Sequence, residues 1–146
     1  MTELSHARTF RDLAVYQKAR KVSRAIFEIS KDFPKEETYS LTDQIRRASR
    51  SIGAQIAEAW GKRRYEKHFV SKLTDADAEQ METQHWLGEA CDCHYVNPKQ
   101  AEELMEELLQ IGRMLNSMMD KASLFCGQSN HVIREEPVEY LLNTDD

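Results

Sequence analysis

Residues Leu41–Arg64 read LTDQIRRASRSIGAQIAEAWGKRR. At about 100° per residue on a helical wheel, Leu41, Ile45, Ala48, Ile52, Ile56 and Ala59 fall within an arc of roughly 80°. Arg46, Arg47 and Arg50 fall on the far side, beside the small residues Gly53, Ala54 and Ala57. An apolar seam of this kind packs into a bundle. A guanidinium offers a planar fork of donors that matches phosphate or carboxylate two bonds at a time. Lys62, Arg63 and Arg64 carry the positive strip past the helix end, with Trp60 and Tyr65 as neighbouring aromatics able to stack on an unpaired base.

The seams on either side set the architecture. Upstream, Val15, Ala19, Val22, Ile26, Ile29 and Phe33 are spaced alternately by 4 and 3, which predicts helix one over Leu13–Lys31. Pro34 ends it, because the residue before a proline avoids helical geometry. Ser40 followed by Asp43 reads as a capping box for helix two, and Gly61 as its left-handed C-cap. Helix three is expected over Glu66–His94, on Phe69, Leu73, Ala76, Leu87 and Ala90, with Gln80 and Thr83 as polar interruptions. Asn97-Pro98 is an N-cap followed by proline at the first helical position. It opens helix four on Ala101, Leu104, Leu108, Ile111, Leu115, Met118, Ala122 and Phe125, with Gly127 as the stop. Four helices joined by short links make an all-α, antiparallel up-down-up-down four-helix bundle. Residues 1–126 form that domain with a short N-terminal arm, and 127–146 form an acidic tail, mobile or docked on a partner, with apolar islands at His131–Ile133 and Val138–Leu142.

The net charge of −5 hides a polarity. Residues 1–72 hold 16 Lys and Arg against 9 Asp and Glu, a net of +7; residues 73–146 hold 4 against 16, a net of −12. Such asymmetry provides one surface for an anionic partner, or two surfaces for each other. There is no apolar run of membrane-spanning length, and MTELSHARTF lacks the apolar core of a signal peptide. A cytoplasmic protein with no membrane partner is expected, its three cysteines (Cys91, Cys93 and Cys126) reduced.

Catalytic and metal signatures are thin. Glu82-Thr83-Gln84-His85 is a single Glu-x-x-His step, whereas a di-iron bundle needs two, plus a glutamate from each remaining helix. Cys91 and Cys93 would point about 200° apart on a helix, too divergent to share one ion. There is no phosphate loop and no nucleophile elbow. The residues therefore point to a non-enzyme with no metal and no cofactor. It would bind RNA, or a nucleic-acid-bound protein, through Arg46, Arg47, Arg50, Lys62, Arg63 and Arg64. The competing reading is a protein-interaction module in which the same arginines pair with Glu102, Glu103, Glu106 and Glu107 of a neighbouring subunit.

Three stretches also carry a family resemblance. Phe10-Arg11-Asp12-Leu13-Ala14-Val15-Tyr16, then Phe33-Pro34-Lys35-Glu36-Glu37 leading to Tyr39-Ser40-Leu41-Thr42-Asp43-Gln44-Ile45-Arg46-Arg47-Ala48, then Ser51-Ile52-Gly53-Ala54-Gln55-Ile56-Ala57-Glu58, resemble the bacterial four-helix-bundle proteins encoded in 23S rRNA intervening sequences. Gln55 stands where that family usually has Asn, and Ala59 where it usually has Gly. The resemblance implies a bundle that assembles as a homo-oligomeric ring, typically a pentamer. It also implies kinship with the accessory variability determinant of diversity-generating retroelements, a nucleic-acid-binding protein that partners a reverse transcriptase.

Overall fold

The computed structural model describes residues 5–127 and 133–135. Four helices pack around one core: α1 (Ala14–Ser30), α2 (Asp43–Gly61), α3 (Glu66–Asp92) and α4 (Pro98–Asp120). Each packs against its neighbours in sequence, and α1 also closes against α4. The late residue Ser30 of α1 meets Arg46 at the start of α2, while Tyr16 meets Gly53 further along. In α3 and α4, Phe69 meets Phe125 just beyond α4, Thr74 meets Met119, and Gln80 meets Gly112. Both helix pairs therefore run antiparallel.

The seams are buried as the spacing predicts. Ile45, Ile52 and Ile56 of α2, Phe69, Leu73 and Leu87 of α3, and Leu108, Ile111 and Leu115 of α4 are fully enclosed. Each such side chain contributes on the order of 2 kcal/mol through area removed from water. Ile29 is the weakest member of the α1 seam and stays half-buried. The polar interruptions of α3 are accommodated rather than expelled. Gln80 donates to the Asp77 carboxylate at 3.0 Å and accepts from Gln84 at 2.7 Å, and Thr83 donates to the Glu79 carbonyl at 2.8 Å.

Several helix ends differ from the sequence expectation. The Ser40–Asp43 capping box does not form, because Thr38–Thr42 winds as one wide turn in which the Asp43 N–H reaches the Thr38 carbonyl. Ser40 instead donates to Glu37 at 2.6 Å. Gly61 remains inside α2, and Lys62 closes the helix with φ −107° and no left-handed residue. At the end of α3 the left-handed residue is His94, φ 62°. Its N–H donates to the Cys91 carbonyl, and the Tyr95 N–H donates to Ala90, the two bonds of a Schellman motif. Helix α4 ends at Asp120, before Gly127; Ala122 and Phe125 are nonetheless buried, from a short 3-10 turn over Ala122–Leu124. The Asn97 cap forms as expected, its side chain accepting from the Lys99 N–H at 2.8 Å.

A short antiparallel ladder pairs β1 (Ser5–Ala7) with β2 (Ile133–Glu135), in the register Ser5 to Glu135 and Ala7 to Ile133. The rest of the tail expected over 127–146, including His131 and Val138–Leu142, lies outside the described residues beyond Gly127. Among the described residues no helix is long and apolar enough to cross a membrane.

Candidate nucleic-acid interface

The basic face is built from two helices, not one. Opposite its buried seam, α1 exposes Arg20 and Arg24 one turn apart, followed by the half-buried Phe27. Alongside them α2 presents Arg46, Arg47 and Arg50, of which Arg47 and Arg50 are exposed. Phe27 is the junction. The Arg46 guanidinium lies 4.6 Å from its ring centroid, Arg50 5.3 Å, and the Lys31 ammonium 5.0 Å. Arg46 is fixed further by a 2.7 Å bond from Nε to the hydroxyl of Ser30, itself buried. Gly53 of α2 faces the Tyr16 ring of α1, where a Cβ would stand at an ordinary contact distance of 3.5 Å.

An aromatic and arginine ladder continues toward the N-terminus. Arg20 lies 5.9 Å over the Tyr16 ring and donates to its hydroxyl at 3.2 Å. Tyr16 packs edge-on against Phe10, and Arg11 lies 4.6 Å over Phe10. Two surface depressions follow this line: one of about 370 Å³ beside Arg11, Tyr16, Arg20 and Arg24, and one of about 580 Å³ beside Arg20, Arg24, Phe27, Arg50 and Glu28, the last paired with Lys31. Among the described residues, Arg20, Arg24, Arg46, Arg47 and Arg50 have no carboxylate within salt-bridge distance.

Arg11, Arg20, Arg24 and Phe27 were not among the expected site residues. A wheel drawn for helix one would have found three of them. Arg20, Arg24 and Phe27 repeat at steps of four and three on the side away from Val15, Ala19, Val22 and Ile26.

Lys62, Arg63 and Arg64 follow the C-terminal end of α2. Arg50 and Lys62 are twelve residues apart, about 18 Å along the helix axis. Arg63 is committed locally. It stacks 3.6 Å from the Trp60 centroid, donates through Nε to the Trp60 carbonyl at 2.8 Å, and accepts the Gly127 N–H on its own carbonyl at 3.2 Å. Burial pulls the Arg63 guanidinium below its ordinary pKa, opposed by Cys126, whose own thiol burial pushes up. Trp60 therefore has one face covered, whereas Tyr65 is 59 % exposed. Lys62 and Arg64 are exposed.

The acidic surface lies on the other helices. Between α3 and α4 runs a groove of about 870 Å³, floored by Leu87, Met105 and Leu109 and rimmed by Asp92, Glu102, Glu103 and Glu106. Glu107 is engaged within the chain, 2.8 Å from Lys18, and Glu106 is 3.2 Å from Arg113. Glu82 accepts from the Trp86 indole at 3.1 Å, and His85 stands edge-on to the same ring. Among the described residues no three His, Cys, Asp or Glu side chains are grouped to hold a metal ion.

A four-helix bundle carrying a two-helix arginine face and an opposing acidic groove is thus the class of protein that fold and surface define. The chain belongs to the 23S rRNA-intervening sequence protein family, whose model matches residues 11–117. The matched segment holds α1, α2 and α3 entire and most of α4. A crystal structure from Bacteroides thetaiotaomicron, described as a protein of unknown function from the S23 ribosomal protein family, is similar at 28% identity and a TM-score of 0.66. The similarity covers 73% of this chain and 98% of that one. No curated protein matches the chain.

Proposed function

We propose that this protein is a non-enzymatic, homo-oligomeric RNA-binding module whose contact surface is the α1–α2 arginine face. The observation that carries the reading is the grouping of Arg20, Arg24, Arg46 and Arg50 around Phe27, with no carboxylate within salt-bridge distance of them among the described residues. Guanidinium groups left with open donors are matched to phosphate oxygens, and the cation–π contacts hold two of them in place before a ligand arrives. An overall charge of −5 limits non-specific binding, while a local arginine cluster still attracts a polyanion. Lys62 and Arg64 form a second, distal contact on a ligand long enough to span α2. An RNA-bound reverse transcriptase belongs to the same reading only as a carrier of RNA.

The test is fluorescence anisotropy with a structured RNA at two salt concentrations. Binding that weakens with salt, and weakens again in the Arg46→Ala/Arg47→Ala variant, supports the reading. An absence of binding at low salt removes it.

A second reading is favoured by the acid-rimmed groove on α3 and α4. One subunit's arginine face would seat on Glu102, Glu103 and Glu106 of the next, giving a head-to-tail ring such as a pentamer. Native mass spectrometry of Arg47→Glu decides it: an unchanged oligomer counts against this use of the arginines.

A further inference from the structure

Glycine weakens a helix relative to alanine, so a glycine within one calls for a reason in packing. Gly53 faces the Tyr16 ring, and Gly112 faces Gln80. Gly88, inside α3, faces nothing: a Cβ there would meet no atom within 4 Å. It opens instead into the α3–α4 groove, beside Leu87, Cys91, Ala101, Met105 and Leu109. The apolar strip continues on both helices. Leu109 is 40 % exposed, and Met81, two turns before Gly88 on the same stripe of α3, is 57 % exposed. Asp92, Glu102 and Glu103 on the rim have no cation within salt-bridge distance among the described residues. From Pro98 to Leu109 the groove follows three turns of α4, about 17 Å.

We propose that this groove receives an amphipathic helix of a partner protein, about three turns long, with apolar residues at i, i+4 and i+7 and Lys or Arg on both flanks. The apolar floor takes the stripe, Met105 adapts to its side chains, and Gly88 lets the incoming helix approach α3 closely. The acidic rim selects the flanks and turns away phosphate. A second copy's arginine face answers the rim but not the floor, because its aromatic residue, Phe27, is half-buried beneath Arg46, Arg50 and Lys31. This docking is independent of RNA binding at the arginine face.

The probe is a labelled helical peptide of about three turns, with leucines at i, i+4 and i+7 and lysines on both flanks. Its control has the same composition with the leucines scattered around the helix. By fluorescence anisotropy with the full chain, the striped peptide is expected to bind about tenfold tighter than the control. Gly88→Gln fills the channel with a neutral helix former, and should weaken the striped peptide about tenfold with a urea midpoint no lower than that of the unaltered chain. Glu102→Gln/Glu103→Gln should weaken it about threefold and reduce its salt dependence. On the unaltered chain, saturating peptide should slow iodoacetamide alkylation of Cys91, which lines the groove, and leave the exposed Cys93 unchanged. Equal affinity for the two peptides overturns the proposal, as does unaltered affinity in Gly88→Gln or an unchanged alkylation rate at Cys91. Native mass spectrometry closes the test: peptide bound with the oligomeric state unchanged supports a foreign helix, and peptide that splits an oligomer assigns the groove to a second copy and overturns it.

Discussion

The guanidinium of Arg46 lies 4.6 Å over the ring of Phe27, joining the basic side of α2 to α1. A cation over an aromatic face is worth about 0.5–1 kcal/mol at an exposed site, and Arg50 shares the same ring at 5.3 Å. Phe27→Leu keeps the apolar volume and removes the quadrupole. RNA affinity is expected to fall about fivefold, from the lost orientation of two guanidiniums, with less than about 1 kcal/mol lost in stability. Anisotropy titration alongside urea denaturation measures both. An unaltered affinity would show that Phe27 does not organise the face.

The two basic regions should separate in salt dependence. Each phosphate contact adds about −0.9 to the slope of log K against log salt on a duplex and about −0.7 on a single strand. Arg20→Ala/Arg24→Ala is expected to flatten the slope by about 1.5–2, with Lys62→Ala/Arg64→Ala changing it by less than about 1. The reverse ranking would move the interface to the end of α2.

Gly112 and Gln80 are coupled across the α3–α4 contact. A methyl group at Gly112 would stand 2.9 Å from Gln80 Nε2, which is already bonded to Asp77 inside the core. Alanine gains about 1 kcal/mol of helix propensity over glycine there, but breaking a buried bond costs about 1–3 kcal/mol. Gly112→Ala should therefore destabilise by about 1 kcal/mol, and Gln80→Ala in the same chain should relieve that clash. A double-mutant cycle by chemical denaturation checks it, and strict additivity would refute the coupling.

His94 pays a backbone cost that glycine would not. Its φ of 62° lies in the left-handed region, worth about 1–2 kcal/mol for a residue with a Cβ. His94→Gly should stabilise by about 0.5–1 kcal/mol after the extra unfolded-state entropy of glycine is subtracted, seen as a raised Tm.

Acid sensitivity should centre on Asp12 and Glu37. Asp12 is held below its ordinary 3.8 by the backbone N–H groups of Arg8 and Thr9. Glu37 is held below 4.5 by the hydroxyls of Ser40 and Tyr95, and the latter bond pushes Tyr95 up to about 12. Depressed carboxylates contribute stability above their unfolded values and lose it as pH falls through the folded ones. Stability should thus drop below about pH 4.5, and Asp12→Asn/Glu37→Gln should shallow that drop in denaturation midpoints measured between pH 2 and 6.

Much of the architecture was legible from residue order. The seams of α2 and α4, the Asn97-Pro98 start and the long α3 follow from local periodicity and capping, because those preferences act within one or two turns. Local signals misplaced the ends at Ser40, Gly61 and Gly127. There the Ser40 hydroxyl found Glu37, Lys62 closed α2, and α4 gave way to a 3-10 turn beyond Asp120 whose Ala122 and Phe125 still reach the core. Gln80 and Thr83 read as polar residues at seam positions, and both are buried there, since the glycine opposite makes room for Gln80 and the preceding turn satisfies Thr83.

The candidate site divides the same way. Sequence by itself determined that helix two carries arginines opposite its seam, since a helix fixes angular position at each residue. Only the packing of α1 on α2 decided that Arg20, Arg24 and Phe27 join Arg46 and Arg50. That outcome depends on the distance and register between two helices, which no single helix encodes.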